Sequence, residues 1–463
     1  MKVVLDSMIE ITDPNEKIIN YCKKNLILAN PEYAKKQRMG FWVGNTPKTL
    51  TLFEQIKNKI LIPYGCLDDI SMLVPHDVPI TCSRKVKDTS IEYGNIELYD
   101  YQQKALKEML KNISGILKAP AGSGKTIIGL QMIAKSGMNA LWITHTRDLL
   151  NQAKKEASTY FDKKKIGTIV EGKINIKELT FATIQSLANM DLPRYKNQWD
   201  IIIVDECHRV SASADSVTMY AKVLNNLCAY YKYGLSATLH RADGLIRTTY
   251  ALLGNVACEI PKEATKEKIM PVGIKPIKTD VRLDDSCYNN DGTLNYNNMI
   301  NYLCENEDRN HIIIQQILEH QDSPILVLSH RVGHLERLLE LLPEKLFEKA
   351  AYINGSMTSK KEKALREHYI EQMRKGEKQI LFATYNLAKE GLDIPRLEVL
   401  IMATPHKDYA IITQAIGRVA RVFKGKTKAM AVDLVDNDYY LQKSYKKRLT
   451  TYRKNDCYEM DNN

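Results

Sequence analysis

Nine cysteines are scattered through 463 residues without a single C-x-x-C pair. That arrangement argues for a reduced cytosolic setting and against a zinc site. His330 and His334 stand four apart, but no carboxylate pattern accompanies them, so the spacing reads as incidental and not as a metal pair. No uninterrupted apolar run approaches the length that crosses a bilayer, and no membrane partner is expected. Asp6 and Glu10 interrupt the beginning of the chain, which does not read as a signal peptide.

The length predicts two or three domains. With 44% hydrophobic and 26% charged residues, the composition is that of a globular protein with sizeable cores. A formal net charge of +11 favours a polyanionic partner.

The stretch Ala119-Pro120-Ala121-Gly122-Ser123-Gly124-Lys125-Thr126 follows the apolar run Gly115 to Leu117 and opens a helical pattern through Ala134. Strand, glycine-rich turn and helix make the layout of a phosphate-binding loop. The glycines let backbone N–H groups close on a polyphosphate, and the helix N-terminus adds positive potential. In that layout Lys125 reaches the β- and γ-phosphates and Thr126 holds Mg²⁺. Ala119 stands where the strict pattern has glycine, so the assignment depends on a metal carboxylate, a base and an arginine finger elsewhere in the chain.

All three are present. Apolar runs at 140–143, 168–170, 179–182 and 201–204 alternate with helical or loop stretches. This predicts a parallel sheet wrapped by helices, with ligand groups at the strands' C-terminal ends. The last run delivers Asp205-Glu206-Cys207-His208: Asp205 for the Mg²⁺ shell, Glu206 to orient and deprotonate water, and His208 as a link to the neighbouring domain. Adjacent carboxylates also cap loops; the upstream phosphate loop favours the catalytic reading. Thr146 and Arg147, then Thr183 and Gln185, follow two other strand ends and suit the phosphates of a nucleic-acid backbone. Each alone would pass for a helix cap. Ser236 and Thr238 follow a further strand and could hydrogen-bond toward Asp205. Gln102, on an amphipathic helix before the loop, offers a donor and an acceptor to an adenine edge.

Residues 259–300 show no clear periodicity, are broken by Pro261, Pro271 and Pro276, and contain a turn at Asn289 to Gly292; they read as a connector with a hairpin. A second alternating block follows, with strands expected at 324–329, 351–353, 379–383, 399–403 and 429–434. It has no phosphate loop and so reads as a partner to the first block. Its strand ends carry His330, Arg331, Asn354, Gly355 and Thr384. Gln414, Arg418 and Arg421 are spaced four and three apart, which predicts one helix face able to reach a γ-phosphate. An arginine finger is worth roughly 10³ to 10⁵ in turnover; a salt-bridged surface face is the plain alternative. Residues 439–454 hold six positive side chains and no acidic one, interleaved with tyrosines, and read either as a helix lying on phosphates or, the slightly favoured reading, as a closing helix packed by its Tyr and Leu residues. Residues 1–95 read as a small α/β unit rich in turns, with short strands at 50–53 and 59–62 and no chemistry of its own, equally open to an accessory substrate-recognition role and to plain structural packing.

In this order, the stretches resemble the DExH-type helicases of superfamily 2. They match the glutamine motif and motifs I, Ia, Ib, II, III, IV, V and VI across about residues 98–434, with Gln414 to Arg421 fitting QxxGRxxR. The continuation of motif III through Arg241, Asp243 and Gly244 resembles the XPB-like branch. Asn30-Pro31-Glu32-Tyr33, Met39-Gly40, Asn45-Thr46-Pro47-Lys48 and Ile62-Pro63-Tyr64-Gly65 resemble the leader of phage and mobile-element helicases of the XPB/UvsW kind, many of which carry arginine where this chain has Tyr64.

The resemblance implies an α/β protein with two tandem RecA-like domains behind a small N-terminal α/β accessory domain. The expected divisions are 1–95, 96–258 (first RecA-like domain), 259–300 (connector), 301–438 (second RecA-like domain) and 439–463 (basic tail). It implies ATP with Mg²⁺ between the two RecA-like domains, bound by Gln102, Ala121, Gly122, Ser123, Gly124, Lys125, Thr126, Gly391 and Asp393 (the last at the ribose), with Thr126 and Asp205 on the metal. Lys125, Asp205, Glu206, His208, Gln414, Arg418 and Arg421 would carry catalysis, with Ser236 and Thr238 coupling it to motion. Nucleic acid would run over Thr146, Arg147, Thr183, Gln185, His330, Arg331, Asn354, Gly355 and Thr384. The expected activity is an ATP-dependent DNA helicase or translocase that remodels duplex or branched DNA in replication, recombination or repair. A cytoplasmic monomer is expected, in the host cytoplasm or nucleoid if phage-encoded. An RNA helicase, or a nucleic-acid-binding sensor or architectural protein with little motor activity, are the alternatives.

Overall fold

The computed structural model describes residues 1–460 except 85–95, 121, 212, 240–244, 262, 265–268, 356, 358 and 390–391. Its contacts divide the chain into two units, Met1–Thr265 and Lys266–Asn463.

In the first unit, apolar β-branched runs form an eight-stranded sheet. Its order is Lys173–Asn175, Ile166–Val170, Leu179–Thr183, Ala140–Thr144, Ile201–Asp205, Tyr231–Ser236, Ser114–Lys118, Val256–Glu259. Every pairing is parallel except that of the edge hairpin 166–175. The central strands are buried on both faces, as continuous rather than alternating hydrophobicity requires. Helices cover the two faces in separate apolar clusters, one around Trp142 and the other around Trp199. The register sets Lys118 beside Ser236, Asp205 beside Leu235 and Thr183 beside Thr144, so the strand ends line one rim of the sheet.

Ahead of this sheet lies a smaller one of five strands, in the order Glu54–Ile56, Lys59–Ile62, Ile9–Thr12, Lys2–Leu5, Ile80–Cys82. Its core includes Val217, Leu245 and Ala251, so it packs directly on the larger sheet's helices. Buried cations key the two together. The Lys232 ammonium donates to the carbonyls of Ser7 and Leu224, and Arg84 donates to those of Ala229 and Tyr230 and to the Tyr64 hydroxyl. Burial pulls Lys232 down to about 7. Tyr64 is 1% exposed, so this position belongs to the core and not to a substrate surface.

The second unit holds a seven-stranded, all-parallel sheet. Its order is Ala350–Ile353, Ile380–Thr384, Ile325–Ser329, Val399–Met402, Met430–Asp436, Gly273–Thr279, Tyr458–Glu459. One expectation needs correction: Gly273–Thr279 lies in the stretch read as a connector, yet pairs along its whole length with Met430–Asp436. Pro276 disguised it. The proline is accommodated because the outer partner, Tyr458–Glu459, covers only Gly273 and Ile274. The turn at 289–293 closes on a Tyr288–Leu294 bridge, and Tyr296–Glu305 is a helix. The basic stretch forms the helix Tyr439–Lys454, whose Leu441, Arg448, Thr451 and Tyr452 are buried. Arg448 is paired to Asp433 at 2.7 Å, and the Tyr452 hydroxyl donates to the same carboxylate at 2.5 Å. No helix among the described residues is long and apolar enough to cross a membrane.

Candidate active site

The phosphate loop leaves the Ser114–Lys118 strand and enters the helix Lys125–Ser136. Gly122 and Gly124 sit at φ 82° and 77°, left-handed values that side chains resist. Gln102 explains the second glycine more sharply: a Cβ on Gly124 would stand 2.4 Å from the Gln102 amide nitrogen. That nitrogen donates to the Ser123 carbonyl at 3.0 Å, the Tyr101 hydroxyl donates to the same carbonyl at 3.1 Å, and the Gln102 oxygen accepts from the Tyr99 N–H. Gln102 is 4% exposed and both ends of its amide are engaged within the chain. The structure therefore gives it the task of holding the loop, where the sequence suggested reading an adenine edge. Lys125 lies over the loop, its ammonium 3.4 and 3.5 Å from the carbonyls of Ala119 and Pro120. Thr126 is the next helical residue. Ser123 is fully buried, and its hydroxyl has no hydrogen-bond partner among the described residues. Ala121 lies outside the described residues.

Asp205 ends the Ile201–Asp205 strand, 7% exposed, and accepts from the Glu206 N–H at 2.9 Å. Glu206 takes φ 48°, a left-handed value that costs a non-glycine residue on the order of 1 kcal/mol or more, as functional sites often do. His208 Nδ1 lies 3.2 Å from Glu206 Oε2 and 3.1 Å from Ser236 Oγ. Ser236 donates to the Thr238 carbonyl at 2.7 Å. The polar chain from motif III thus reaches Glu206 through His208, and not Asp205 directly as expected from the sequence. Burial pushes the Asp205 carboxyl up, and the adjacent Glu206 charge adds to this. Burial also acts on Glu206, but His208 and the Lys125 charge outweigh it and hold that carboxyl down.

These residues fit a magnesium–nucleotide. The loop offers backbone N–H groups at a helix N-terminus, and Asp205 is a buried carboxylate short of positive charge. Mg²⁺ characteristically takes one or two carboxylates, phosphate oxygens and waters, which matches a Thr126–Asp205 set better than a protein cage would.

Along the same rim, Thr146 caps the helix Arg147–Ala157 and accepts from the Leu149 N–H. Arg147 contacts both Glu171 carboxylate oxygens at 2.9 and 3.0 Å. Thr183 donates to Ser186 Oγ, which also accepts from the Glu171 N–H, and Gln185 donates to the His145 carbonyl. Arg147, Thr183 and Gln185 line one groove of about 700 Å³ together with Met190 and Tyr195.

In the second unit, His330 follows the Ile325–Ser329 strand. Its ring lies parallel to His406 at 4.8 Å between centroids and tilted to Tyr385 at 4.9 Å, and its Nδ1 is 2.8 Å from Thr404 Oγ1. Arg331 donates to Asn301 and Asn297. Asn354 donates to the Tyr352 hydroxyl, and Gly355 faces open space. Thr384 ends its strand, 9% exposed. Tyr296, Tyr385, Thr404 and His406 were missed in the sequence; Thr404 and His406 follow an apolar strand, the signal that identified the others. Gln414 and Arg418 lie on the helix Tyr409–Val419. Arg421 does not: it is past the helix end, so the three-residue face expected from spacing is broken. Arg421 instead pairs with Asp393, which also lies 3.7 Å from Arg374. Asp393, assigned to the ribose, is thus ion-paired within its own unit. Gly391, and with it Glu390, Arg241, Asp243 and Gly244, lies outside the described residues.

Residues 95–241 match the family described as type III restriction enzyme, res subunit, and residues 308–423 match the helicase conserved C-terminal domain. This chain is a superfamily 2 helicase. It resembles the XPB kind: it is 24% identical over 386 residues to the DNA 3'-5' translocase XPB2 of Sulfurisphaera tokodaii, covering 75% of this chain and 84% of that protein. It is 27% identical over 395 residues to putative helicase 22 of a Sulfolobus islandicus filamentous virus (77% and 67% covered). It is 28% identical over 357 residues to the putative ATP-dependent RNA helicase L396 of Acanthamoeba polyphaga mimivirus (75% of this chain and 65% of that protein). The solved structure of Saccharomyces cerevisiae Dbp5 bound to RNA and ADP BeF3 aligns with a TM-score of 0.56 at 16% identity, covering 78% and 88% of the two chains, and shares the tandem RecA-like fold. Helicases of this superfamily use ATP, as a rule with Mg²⁺.

Proposed function

We propose that this helicase translocates on DNA and remodels duplex or branched structures in replication, recombination or repair. The observation that carries the motor part is the convergence of Lys125, Asp205, Glu206 and His208 on one rim of one sheet, joined to Ser236 by hydrogen bonds. The DNA part is supported by the XPB2 relative and by the +11 charge.

In this reading Gly122, Ser123 and Gly124 cradle the polyphosphate, Lys125 neutralises it, and Thr126 with Asp205 holds Mg²⁺. The bound magnesium–nucleotide supplies the phosphoryl bond that is hydrolysed. Glu206, held ionised, positions water and takes its proton, and His208 fixes the carboxylate while reporting to Ser236 and Thr238. Gln102 keeps the loop in its bound shape, which lowers the ordering cost of binding. Arg418 acts as the arginine finger. Arg421 holds Asp393 and thereby shapes the loop that carries it. Thr146, Arg147, Thr183, Gln185, His330, Arg331, Asn354, Gly355 and Thr384 form the backbone-contacting surfaces, an electrostatic role that is steeply salt-dependent.

A second reading, an RNA helicase, is favoured by the name of the mimivirus relative. Matched single-stranded, duplex and forked DNA and RNA, compared as stimulators of ATP hydrolysis at one fixed salt concentration, separate the two. Stimulation by forked or duplex DNA at least tenfold above that by RNA is expected. Stimulation by RNA alone would replace the DNA reading.

A further inference from the structure

The small N-terminal sheet carries an arm that its core does not explain. The strands Ile27–Ala29 and Thr49–Thr51 pair as a two-stranded stem rooted by buried Leu28 and Leu50. The 19 residues between them extend away from that core: the helix Pro31–Arg38 has no buried residue. At the tip, Met39 is 53% exposed, Phe41 61% and Trp42 86%. Two adjacent aromatic rings displayed to this degree are unusual in a folded protein, where large apolar side chains on a surface mark contact sites.

The arm is built and closed. Asn30, 1% exposed, donates through its side chain to the Pro47 carbonyl and through its backbone to that of Lys48. Lys36 donates to Thr46 Oγ1 at 2.7 Å, and the Thr46 N–H donates to the Val43 carbonyl. Gly44, at φ 47°, lies against the Trp42 ring so closely that a Cβ there would be 2.6 Å from it. The glycine thus seats the indole in place while leaving most of its surface open.

The surroundings select the partner. The arm carries Lys35, Lys36, Arg38 and Lys48 against a single carboxylate, Glu32, which is itself 3.3 Å from Lys36. Aromatic rings set among cations match a chain of phosphates bearing exposed bases: the cations track the backbone and the rings stack on bases of any sequence.

We propose that Phe41 and Trp42 form a stacking platform for the unpaired nucleobases of a nucleic acid. None of the helicase motifs supplies this site. The inference rests on the reading of the chain as a nucleic-acid motor, and it gives that motor a structure-sensing element outside its two sheets.

The chain's own fluorescence tests it. There are three tryptophans, and Trp142 and Trp199 are 0% and 2% exposed, so acrylamide-accessible emission reports Trp42. Titrating the full chain with forked DNA at fixed salt should quench that emission and shield it from acrylamide. A duplex capped by hairpins at both ends, which presents no open base, should do so far less. The Phe41→Ala/Trp42→Ala variant should bind labelled fork about tenfold more weakly by anisotropy, while Trp42→Phe should keep most of the affinity, since the ring and not the indole N–H does the stacking. Circular dichroism and the thermal midpoint establish that each variant is folded. Unchanged Trp42 emission at saturating fork, or fork affinity in the double variant equal to that of the parent, overturns the proposal. Fork-stimulated hydrolysis without quenching sinks the platform and leaves the motor reading standing. Quenching without stimulation does the reverse.

Discussion

In the proposed mechanism His208 is the residue on which chemistry and motion meet. It stands within 3.2 Å of Glu206 and 3.1 Å of Ser236, so it touches both the carboxylate proposed to activate water and the strand end of motif III. Removing its ring should weaken coupling more than basal hydrolysis. His208→Ala is expected to lower the nucleic-acid-stimulated rate about tenfold, the scale of a coupling energy of 1 to 2 kcal/mol, with a smaller loss when no polymer is present. Steady-state rates with and without DNA decide; equal losses in the two would reduce His208 to a packing residue. At this scale the sequence was legible wherever a polar residue follows an apolar strand, because a strand's end is visible in its hydrophobicity. It was illegible where a side chain turns inward. Gln102 has the right position for a nucleotide contact, but only coordinates reveal that its amide is already taken by Ser123 and Tyr99. Arg421 has helical spacing from Arg418, but the helix stops at Val419.

Among the elements, the second sheet depends on buried polar networks as well as on aliphatic packing. His334 is 3% exposed on the helix Val332–Glu340, with Nδ1 2.9 Å from Ser329 Oγ and Nε2 2.8 Å from Asn310 Oδ1. Asn310 Oδ1 can only accept, so Nε2 carries a proton, and in the neutral ring that burial favours Ser329 donates to Nδ1. Ser329 also accepts from the Arg331 N–H, so this network fixes the loop that presents His330 and Arg331. Burial, reinforced by Arg309, pulls His334 down to about 3. Its unfolded value is about 6.5. The folded state therefore refuses a proton that the unfolded state accepts: the network's stability is intact above pH ~6.5 and falls as pH drops toward 3. The loss is about 1.4 kcal/mol per pH unit for this histidine, or about 2 kcal/mol between pH 6.5 and 5. Urea unfolding at pH 7 and 5 should show that loss, and His334→Gln should show distinctly less of it. An identical pH dependence in the two proteins would refute the assignment. The central strands of both sheets were legible from their apolar runs, while the short outer strands Lys173–Asn175, Val256–Glu259 and Tyr458–Glu459 were not. Gly273–Thr279 was not, because a proline inside a strand whose outer side is paired only at Gly273 and Ile274 looks the same in sequence as a proline in a loop.

For the whole molecule, the order of motifs along the chain carried the family, while the small N-terminal sheet carried almost nothing in its sequence. Its Tyr64 and Arg84 form part of a buried seam whose partners lie more than 140 positions away in the chain, a separation that no local pattern reports. The exposed arm at 30–48 likewise becomes visible only once the rest of that sheet is seen to bury its apolar residues and the arm is seen not to. What unites these parts is the claim that one sheet rim hydrolyses ATP under the control of nucleic acid. The direct measurement is ATP hydrolysis with and without forked DNA for the parent chain, Lys125→Ala and Glu206→Gln, alongside fork binding by each. The account predicts fork-stimulated turnover in the parent, loss of at least a hundredfold in both variants, and fork affinity largely retained. Turnover that survives either substitution, or that forked DNA leaves unchanged in the parent, would contradict it.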